Sequence, residues 1–379
     1  MLNKLIIARN YIIQKSYKWA LKPVFFEIDP EIIHDYMSMF LHFWGKYVIT
    51  RKATYACFGY SNSALEQNIL GINFKNPIGL SAGFDKNATL MSIMPSIGFG
   101  FEEVGSITGE VCSGNPKPRL WRLKKSQSLA IHYGLTNDGC EVIAKRLNGK
   151  KFTFPVGINI AKTNCKETID TDKAIGDYFK AYKAFANIGD YFTINISCPN
   201  AFGGQPFTDS AKLNALLEKI LSIPKNKPIF LKLSPDLNNE EIDEIINVAK
   251  KWKVDGFICT NLTKNRNNKN IVDEIVPKLG GLSGKVVDNL SDKLIRYIWE
   301  KTDDLSTPLG ERKFIIIGSG GIFTAEDAYR KIKAGASLVE LITGMIFEGP
   351  QMISDINLGL VRLLKSDGYK NISEAIGKK

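Results

Sequence analysis

The sequence predicts an α/β fold, a (β/α)8 TIM barrel with a short N-terminal helical domain. Three observations carry that expectation. Eight short apolar runs rich in β-branched or aromatic residues alternate with longer helical runs. The apolar runs lack strict polar alternation, as strands of a parallel sheet buried on both faces do. Nearly every run also delivers a polar residue or a glycine at its C-terminal end, which in a barrel is the end that carries chemistry. A doubly wound open sheet is the alternative architecture.

In chain order, residues 1–50 are expected to form amphipathic helices and residues 51–379 the barrel. Leu2, Leu5, Ile6, Tyr11, Ile12, Ile13 and Trp19 are interspersed with Lys4, Arg9, Lys15, Lys18 and Lys22, and no acid precedes Glu27. That is the pattern of a cationic amphipathic helix. A second helix is expected from Asp29-Pro30-Glu31, with Asp29 as N-cap and Pro30 in the first helical position, running to Trp44. Neither has eighteen uninterrupted apolar residues, so neither spans a bilayer, and no small-residue cleavage site marks a signal peptide. Two such helices either lie in a membrane interface or pack on the protein's own body. A linker with Gly59 and Ser61 to Ser63 follows, then a hairpin over 67–74 turning at Gly71. Strands are expected over 77–81, 101–107, 155–160, 190–196, 228–233, 255–260, 314–318 and 338–343. Helices are expected over 172–188, 210–223, 240–251, 289–301, 325–334 and 351–365.

Composition narrows the function classes. At 379 residues the chain exceeds the usual single-core size but fits one large barrel with an appendage. The formal net charge is +11, yet the basic residues are spread out and no basic run is interleaved with aromatics, so nucleic acid is not expected as a partner. An anionic membrane surface or small anionic ligand suits that charge. Six cysteines without CxxC spacing point to a reduced, cytosolic compartment without a disulfide scaffold, and the three scattered histidines to no metal centre.

The strand ends gather the chemistry. Asn195-Ile196-Ser197-Cys198-Pro199-Asn200 sets two carboxamides around a thiol whose following proline fixes φ. Such a thiol serves as base or nucleophile, or else as a structural cysteine. The other ends supply Ala82 to Asn87, Gly105-Ser106, Asn159 with Lys162, Lys232, Thr260-Asn261, Gly318 to Gly321 and Thr343-Gly344. Glycines after strand seven and Thr-Gly after strand eight free backbone N–H groups for a phosphate, where this fold commonly binds one. Lys232 ends an apolar run, so its amine is expected in the barrel mouth, suited to stabilising negative charge on an electron-accepting ring. Asn159, Asn195, Asn200 and Asn261 suit a heterocycle rich in amides, or bond their own turns. No Ser/His/Asp triad, metal-ligand cluster or carboxylate pair stands out.

These residues, with the stretches 25–34 (FFEIDPEIIH), 82–87 (AGFDKN), 98–105 (GFGFEEVG), 114–123 (GNPKPRLWRL), 280–284 (GGLSG) and 317–322 (IGSGGI), resemble the dihydroorotate dehydrogenase family. The resemblance is closer to its membrane-associated, quinone-dependent class. It implies an FMN-dependent barrel that oxidises dihydroorotate to orotate in pyrimidine synthesis with a quinone as acceptor, peripheral on the cytoplasmic side of a membrane. Residue by residue, it implies that Ala82, Gly83, Ser106, Asn159, Asn195, Lys232, Thr260, Gly284, Gly320, Gly321, Thr343 and Gly344 surround FMN. Lys86, Asn195, Asn200 and Asn261 would face the substrate. Cys198 would be the base that takes a proton from C5 while hydride leaves C6, and His34 and Arg122 would flank the quinone tunnel.

The chain departs from that pattern at four points. The quinone-dependent class usually has Ser where Cys198 stands. Ile131 replaces a substrate-binding Asn, Leu262 a hydroxyl residue, and Ile342 a Tyr near FMN and the tunnel. Losing two polar contacts costs on the order of 1–3 kcal/mol each if a buried substrate group goes unpaired. A divergent FMN oxidoreductase acting on a less polar dihydro or unsaturated substrate is therefore the alternative. A soluble class using fumarate or a partner subunit is disfavoured by the N-terminal helices, and a flavin- or phosphate-binding protein without turnover by Lys86, Cys198 and Lys232.

Overall fold

The computed structural model describes residues 2–302 and 314–378; the Leu2 side chain, named above in the first helix, lies outside that description. Eight parallel strands close into a barrel. They are β1 (Ile78–Leu80), β2 (Phe101–Ile107), β3 (Val156–Ile160), β4 (Tyr191–Asn195), β5 (Ile229–Leu233), β6 (Gly256–Cys259), β7 (Ile315–Ser319) and β8 (Leu338–Leu341). Each pairs with its neighbours in sequence and β8 returns to β1. The continuous burial of β3, β4, β5, β6 and β8 explains the missing alternation, since side chains face either the barrel interior or the surrounding helices. The open-sheet alternative is excluded by closure.

The hairpin Gln67–Ile69/Ile72–Phe74 closes the bottom of the barrel. Leu70 and Gly71 make its turn at φ 53° and 81°, a conformation glycine adopts without strain. Ile69 and Phe74 pack on Phe101, Tyr191, Phe230, Ile258, Ile317 and Leu338, most of them at or near the strand beginnings, and the Phe74 and Phe101 rings meet edge to face at 5.5 Å. Functional groups are thereby left the opposite, C-terminal end. Over that end lies a feature the hydropathy pattern did not reveal, an antiparallel sheet ordered Gly281–Gly284, Ser128–Ile131, Leu120–Leu123. Its strands come from long βα connections and are too short to stand out.

The N-terminal segment is helical from Leu2 to Glu27: α1 (Leu2–Ser16), a π-helical turn (Tyr17–Leu21), then α2 (Lys22–Glu27). α3 (Pro30–Trp44) starts as expected, with Asp29 accepting from the Glu31 and Ile32 N–H groups. A further helix, α4 (Val48–Phe58), runs across residue 50, where the sequence reading drew its boundary. α1 is fixed to the body by polar contacts. Arg9 donates to the carbonyls of Ala56 and Gly59 and to Ser354 Oγ, and Asn10 Nδ2 donates to Asp355 Oδ1 at 2.7 Å. The other faces stay apolar and exposed, including Trp19 and Val24 and, on α3, the ridge Ile32, Tyr36, Met39, Phe40 and Phe43. No helix among the described residues is long and apolar enough to cross a membrane.

Candidate functional site

At the C-terminal end of the barrel a cavity of about 1280 Å³, counting its open mouth, is walled by loops from most of the strands and by the small antiparallel sheet. It gathers Ala82, Gly83, Lys86, Ser106, Asn195, Cys198, Asn200, Lys232, Thr260, Asn261, Gly284, Gly320, Gly321, Thr343, Gly344 and His34. Of the residues that the resemblance assigned to the site, Asn159 and Arg122 stand elsewhere, as does Lys162 from the strand ends. Asn159 is fully buried one step behind the wall, where its Oδ1 accepts from Ser106 Oγ at 2.5 Å and its Nδ2 donates to Glu103 Oε2 at 3.2 Å. It acts on the cavity through Ser106.

A hydrogen-bonded chain crosses the floor. Asn195 Nδ2 donates to Ser106 Oγ at 2.9 Å, and Asn261 Nδ2 donates to Asn195 Oδ1 at 3.2 Å and to Ser197 Oγ at 3.0 Å. These carboxamides are held by one another, so their faces toward the cavity are fixed before a ligand arrives. Lys232 reaches the mouth as expected, but as part of a buried ion cluster. Its Nζ lies 2.7 Å from Glu340 Oε1, 3.2 Å from Ser81 Oγ and 3.8 Å from Glu103 Oε2. The reading that no carboxylate pair stands out is thus corrected. Glu103 follows Glu102 in β2 and Glu340 sits alone in β8, and only barrel closure brings Glu103 and Glu340 to one amine. Burial, then the Glu340 charge, raises the Glu103 pKa. Burial opposes the charge on Lys232, yet Glu340 and Glu103 outweigh it and raise that pKa. Lys232 is thus the cation of a buried pair with Glu340 at the floor of the site.

Cys198 is half-buried on the loop after β4, and burial pushes its thiol up to about 11, with the Asn200 N–H and Lys162 pulling the other way. Lys86 faces the same cavity, its Nζ 4.1 Å from the Tyr133 ring centroid, and burial lowers its pKa to about 8. Asn200 spends its amide on Ile131 O at 2.8 Å, which fixes its orientation. Ile131 is the register partner of Gly281, and a Cβ on Gly281 would fall 2.5 Å from Leu262 Cβ and 3.2 Å from Pro199 Cγ. Ile131, Leu262 and Pro199 therefore form one apolar wall beside the carboxamides.

The opposite end of the cavity suits a phosphate-bearing ring system. Gly83 has φ 108°, and an added Cβ there would meet nothing closer than Ile342 Cδ1 at 3.9 Å, so its missing side chain opens on the cavity. Gly320 and Gly321 follow β7, and Thr343-Gly344 open a short helix after β8, leaving N–H groups without a preceding turn to bond. Ser283 Oγ and Thr343 Oγ1 meet at 2.8 Å beside them.

A second, apolar cavity of about 1550 Å³, also counting its mouth, lies between the N-terminal helices and the barrel. Tyr17, Phe26, Met37, Phe40, Trp44 and Arg122 are among its walls. Arg122 donates to Ile28 O at 2.7 Å and stacks over the Phe26 ring at 4.8 Å. Tyr17, missed in the sequence because it reads as one more aromatic on a helix, donates to Ile346 O at 2.6 Å. The two cavities share His34, Phe84, Leu120, Leu129 and Ile346, so they adjoin across one partition. His34 holds that partition, its Nε2 3.0 Å from Phe84 O, and burial followed by the Lys86 charge keeps its pKa low.

The family model for dihydroorotate dehydrogenase matches residues 64–364, which includes every barrel strand. The chain belongs to the dihydroorotate dehydrogenase family. It is 38% identical to the dihydroorotate dehydrogenase (quinone) of Trichormus variabilis over 95% of this chain and 98% of that protein. It is 39% identical to the enzyme of the same name from Haloarcula marismortui over 84% of this chain and 86% of the other. The ligand-free dihydroorotate dehydrogenase of Eimeria tenella superposes with a TM-score of 0.80 at 32% identity, covering 92% of this chain and 99% of that one. Dihydroorotate dehydrogenases of this family use FMN, and the cradle at Gly83, Gly320, Gly321, Thr343 and Gly344, with the donors around Lys232, fits that group.

Proposed function

We propose that this chain oxidises dihydroorotate to orotate and passes the electrons to a quinone. The observation that carries this is the shared partition: a polar cavity with a thiol, a lysine and fixed carboxamides adjoins an apolar cavity under exposed helices. FMN, held by Ala82, Gly83, Ser106, Lys232, Thr260, Gly284, Gly320, Gly321, Thr343 and Gly344, supplies the hydride acceptor when bound. Asn159 supports it through Ser106. Lys86 pairs with the substrate carboxylate, and Asn195, Asn200 and Asn261 bond the ring amides and imide. Cys198 takes the proton from the ring carbon, and its high pKa makes the thiolate scarce but strongly basic. Lys232, kept cationic by Glu340 and Glu103, stabilises negative charge that develops over the cavity floor.

The apolar cavity suits a quinone ring and tail, with His34 and Arg122 as its polar edge. The exposed ridge on α3, together with Trp19 and Val24 and the lysines of α1, suits peripheral seating on the cytoplasmic face of an anionic membrane. The membrane-facing unit is read as residues 1–58, since α4 forms part of the apolar cavity. Steady-state turnover tests the assignment. Dihydroorotate should be converted to orotate with a soluble quinone analogue and far more slowly with fumarate or NAD. Turnover with fumarate alone, or none with any acceptor, would reject it.

The wall of Ile131, Leu262 and Pro199 favours a second reading, a less polar dihydro substrate. A panel of dihydropyrimidines and their carboxylate-free or alkylated analogues separates the two by which compound reduces the bound flavin fastest.

A further inference from the structure

The loop bearing Cys198 is clamped from outside. Asn115 Nδ2 donates to Asn200 O at 3.1 Å, the Phe202 N–H donates to Asn164 Oδ1 at 2.8 Å, and Asn164 Nδ2 donates to Asn115 Oδ1 at 2.9 Å. The third member of the clamp is Lys162, whose Nζ donates to the carbonyls of Phe202 and, at 3.2 Å, Thr168. Lys162 is only 3% exposed, and among the described residues no carboxylate forms an ion pair with it. A buried lysine without an ion-paired carboxylate is costly and calls for a reason beyond holding two carbonyls, which a neutral amide does as well.

The reason lies across a small cavity of about 230 Å³ behind the thiol, bounded by Lys162, Tyr178, Asn195, Cys198 and Phe207. Of the groups around it that can carry negative charge, the Cys198 thiolate acts on Lys162 most strongly. Tyr178 donates to Asn195 O at 2.7 Å and burial raises its pKa far out of reach. Asp177 also acts on Lys162, but more weakly, and its oxygens accept from Thr163 and the Gly109 N–H. Cys165 acts on Lys162 more weakly than Cys198 does, and Cys112 donates to Gly134 O. Lys264 acts on Cys198 more weakly than Lys162 does. We infer that Lys162 is a positioning residue that pins the loop after Cys198 and supplies the counter-charge for its thiolate. This rests on Cys198 being the base.

Alkylation of Cys198 by iodoacetamide, followed by peptide mass spectrometry on the full-length FMN-loaded protein, reads thiolate formation without substrate. Exposed Cys57 is the internal reference. At about pH 8, Lys162→Gln should slow Cys198 alkylation about tenfold, one unit of thiol pKa and the low end of what a neighbouring opposite charge does. Lys162→Arg should stay near wild type. Asn164→Ala, which loosens the same loop without removing charge, should not slow it. An unchanged rate in Lys162→Gln, or equal slowing in Asn164→Ala, overturns the inference. If Lys162→Gln does not retain FMN, Lys162→Met is compared with Lys162→Arg, both with FMN in excess: slower alkylation in Lys162→Met alone upholds the inference, and equal rates in the two overturn it. Failure of dihydroorotate to reduce the flavin would instead sink the substrate assignment and leave the alkylation result standing.

Discussion

Cys198, proposed as the base, and Lys86, proposed to pair with the substrate carboxylate, titrate in opposite senses, and that separates the two roles. Burial sets the Cys198 thiol at about 11, so near neutral pH roughly one thiol in ten thousand is ionised, a fraction that grows about tenfold per pH unit. A base acts deprotonated, so the limiting rate of flavin reduction should climb about tenfold per unit from about pH 7 to pH 10. Burial lowers Lys86 to about 8, so its charge is present below that value and lost above it. The apparent Kd for dihydroorotate should therefore be flat at first and weaken about tenfold per unit above about pH 8. The ratio of limiting rate to Kd should rise and then level off. Anaerobic stopped-flow mixing at several substrate concentrations and pH values resolves the two. A limiting rate that is level from pH 7 to pH 10 would refute the role given to Cys198, and a Kd unchanged above pH 8 the role given to Lys86.

Further outcomes follow from the same geometry. Lys232→Met leaves Glu340 buried without its cation and should cost about 3–5 kcal/mol of stability, read by chemical denaturation at neutral pH, with Glu340→Gln in the same chain recovering part of it. Met37→Asp places a charge in the apolar cavity and should raise the KM for a quinone analogue about tenfold or more while flavin reduction by substrate is unchanged. Ile131→Asn adds a donor beside Asn200 and should tighten dihydroorotate binding by about 1 kcal/mol; weakened binding together with faster reduction by an alkylated analogue would favour the less polar substrate.

What the sequence made legible, and what it hid, divides along local and non-local lines. The barrel strands were readable because each is a short apolar run with its own boundaries, and Cys198, Asn195 and Lys232 because they end such runs. Glu103 and Glu340 were not, because their meaning depends on β2 and β8 flanking β1, which brings both to Lys232 from opposite sides. The antiparallel sheet over the mouth escaped for a similar reason, since Ser128–Ile131 pairs with Gly281–Gly284 across about 150 residues of chain. α4 was obscured by its mixed composition, VITRKATYACF, which has little amphipathic contrast of its own. Asn115 and Asn164 looked like ordinary turn residues until the fold set them against the Cys198 loop.

The most direct test is a double-mixing experiment without oxygen. The FMN-loaded protein is first mixed with dihydroorotate and then with a quinone analogue, alongside Cys198→Ala. In the wild type the oxidised-flavin absorbance should disappear in the first mix and return in the second. The Cys198→Ala protein should keep its flavin but lose it to reduction at least about a hundredfold more slowly. Flavin that stays oxidised in the wild type, or that bleaches equally fast without Cys198, would contradict the proposed reaction.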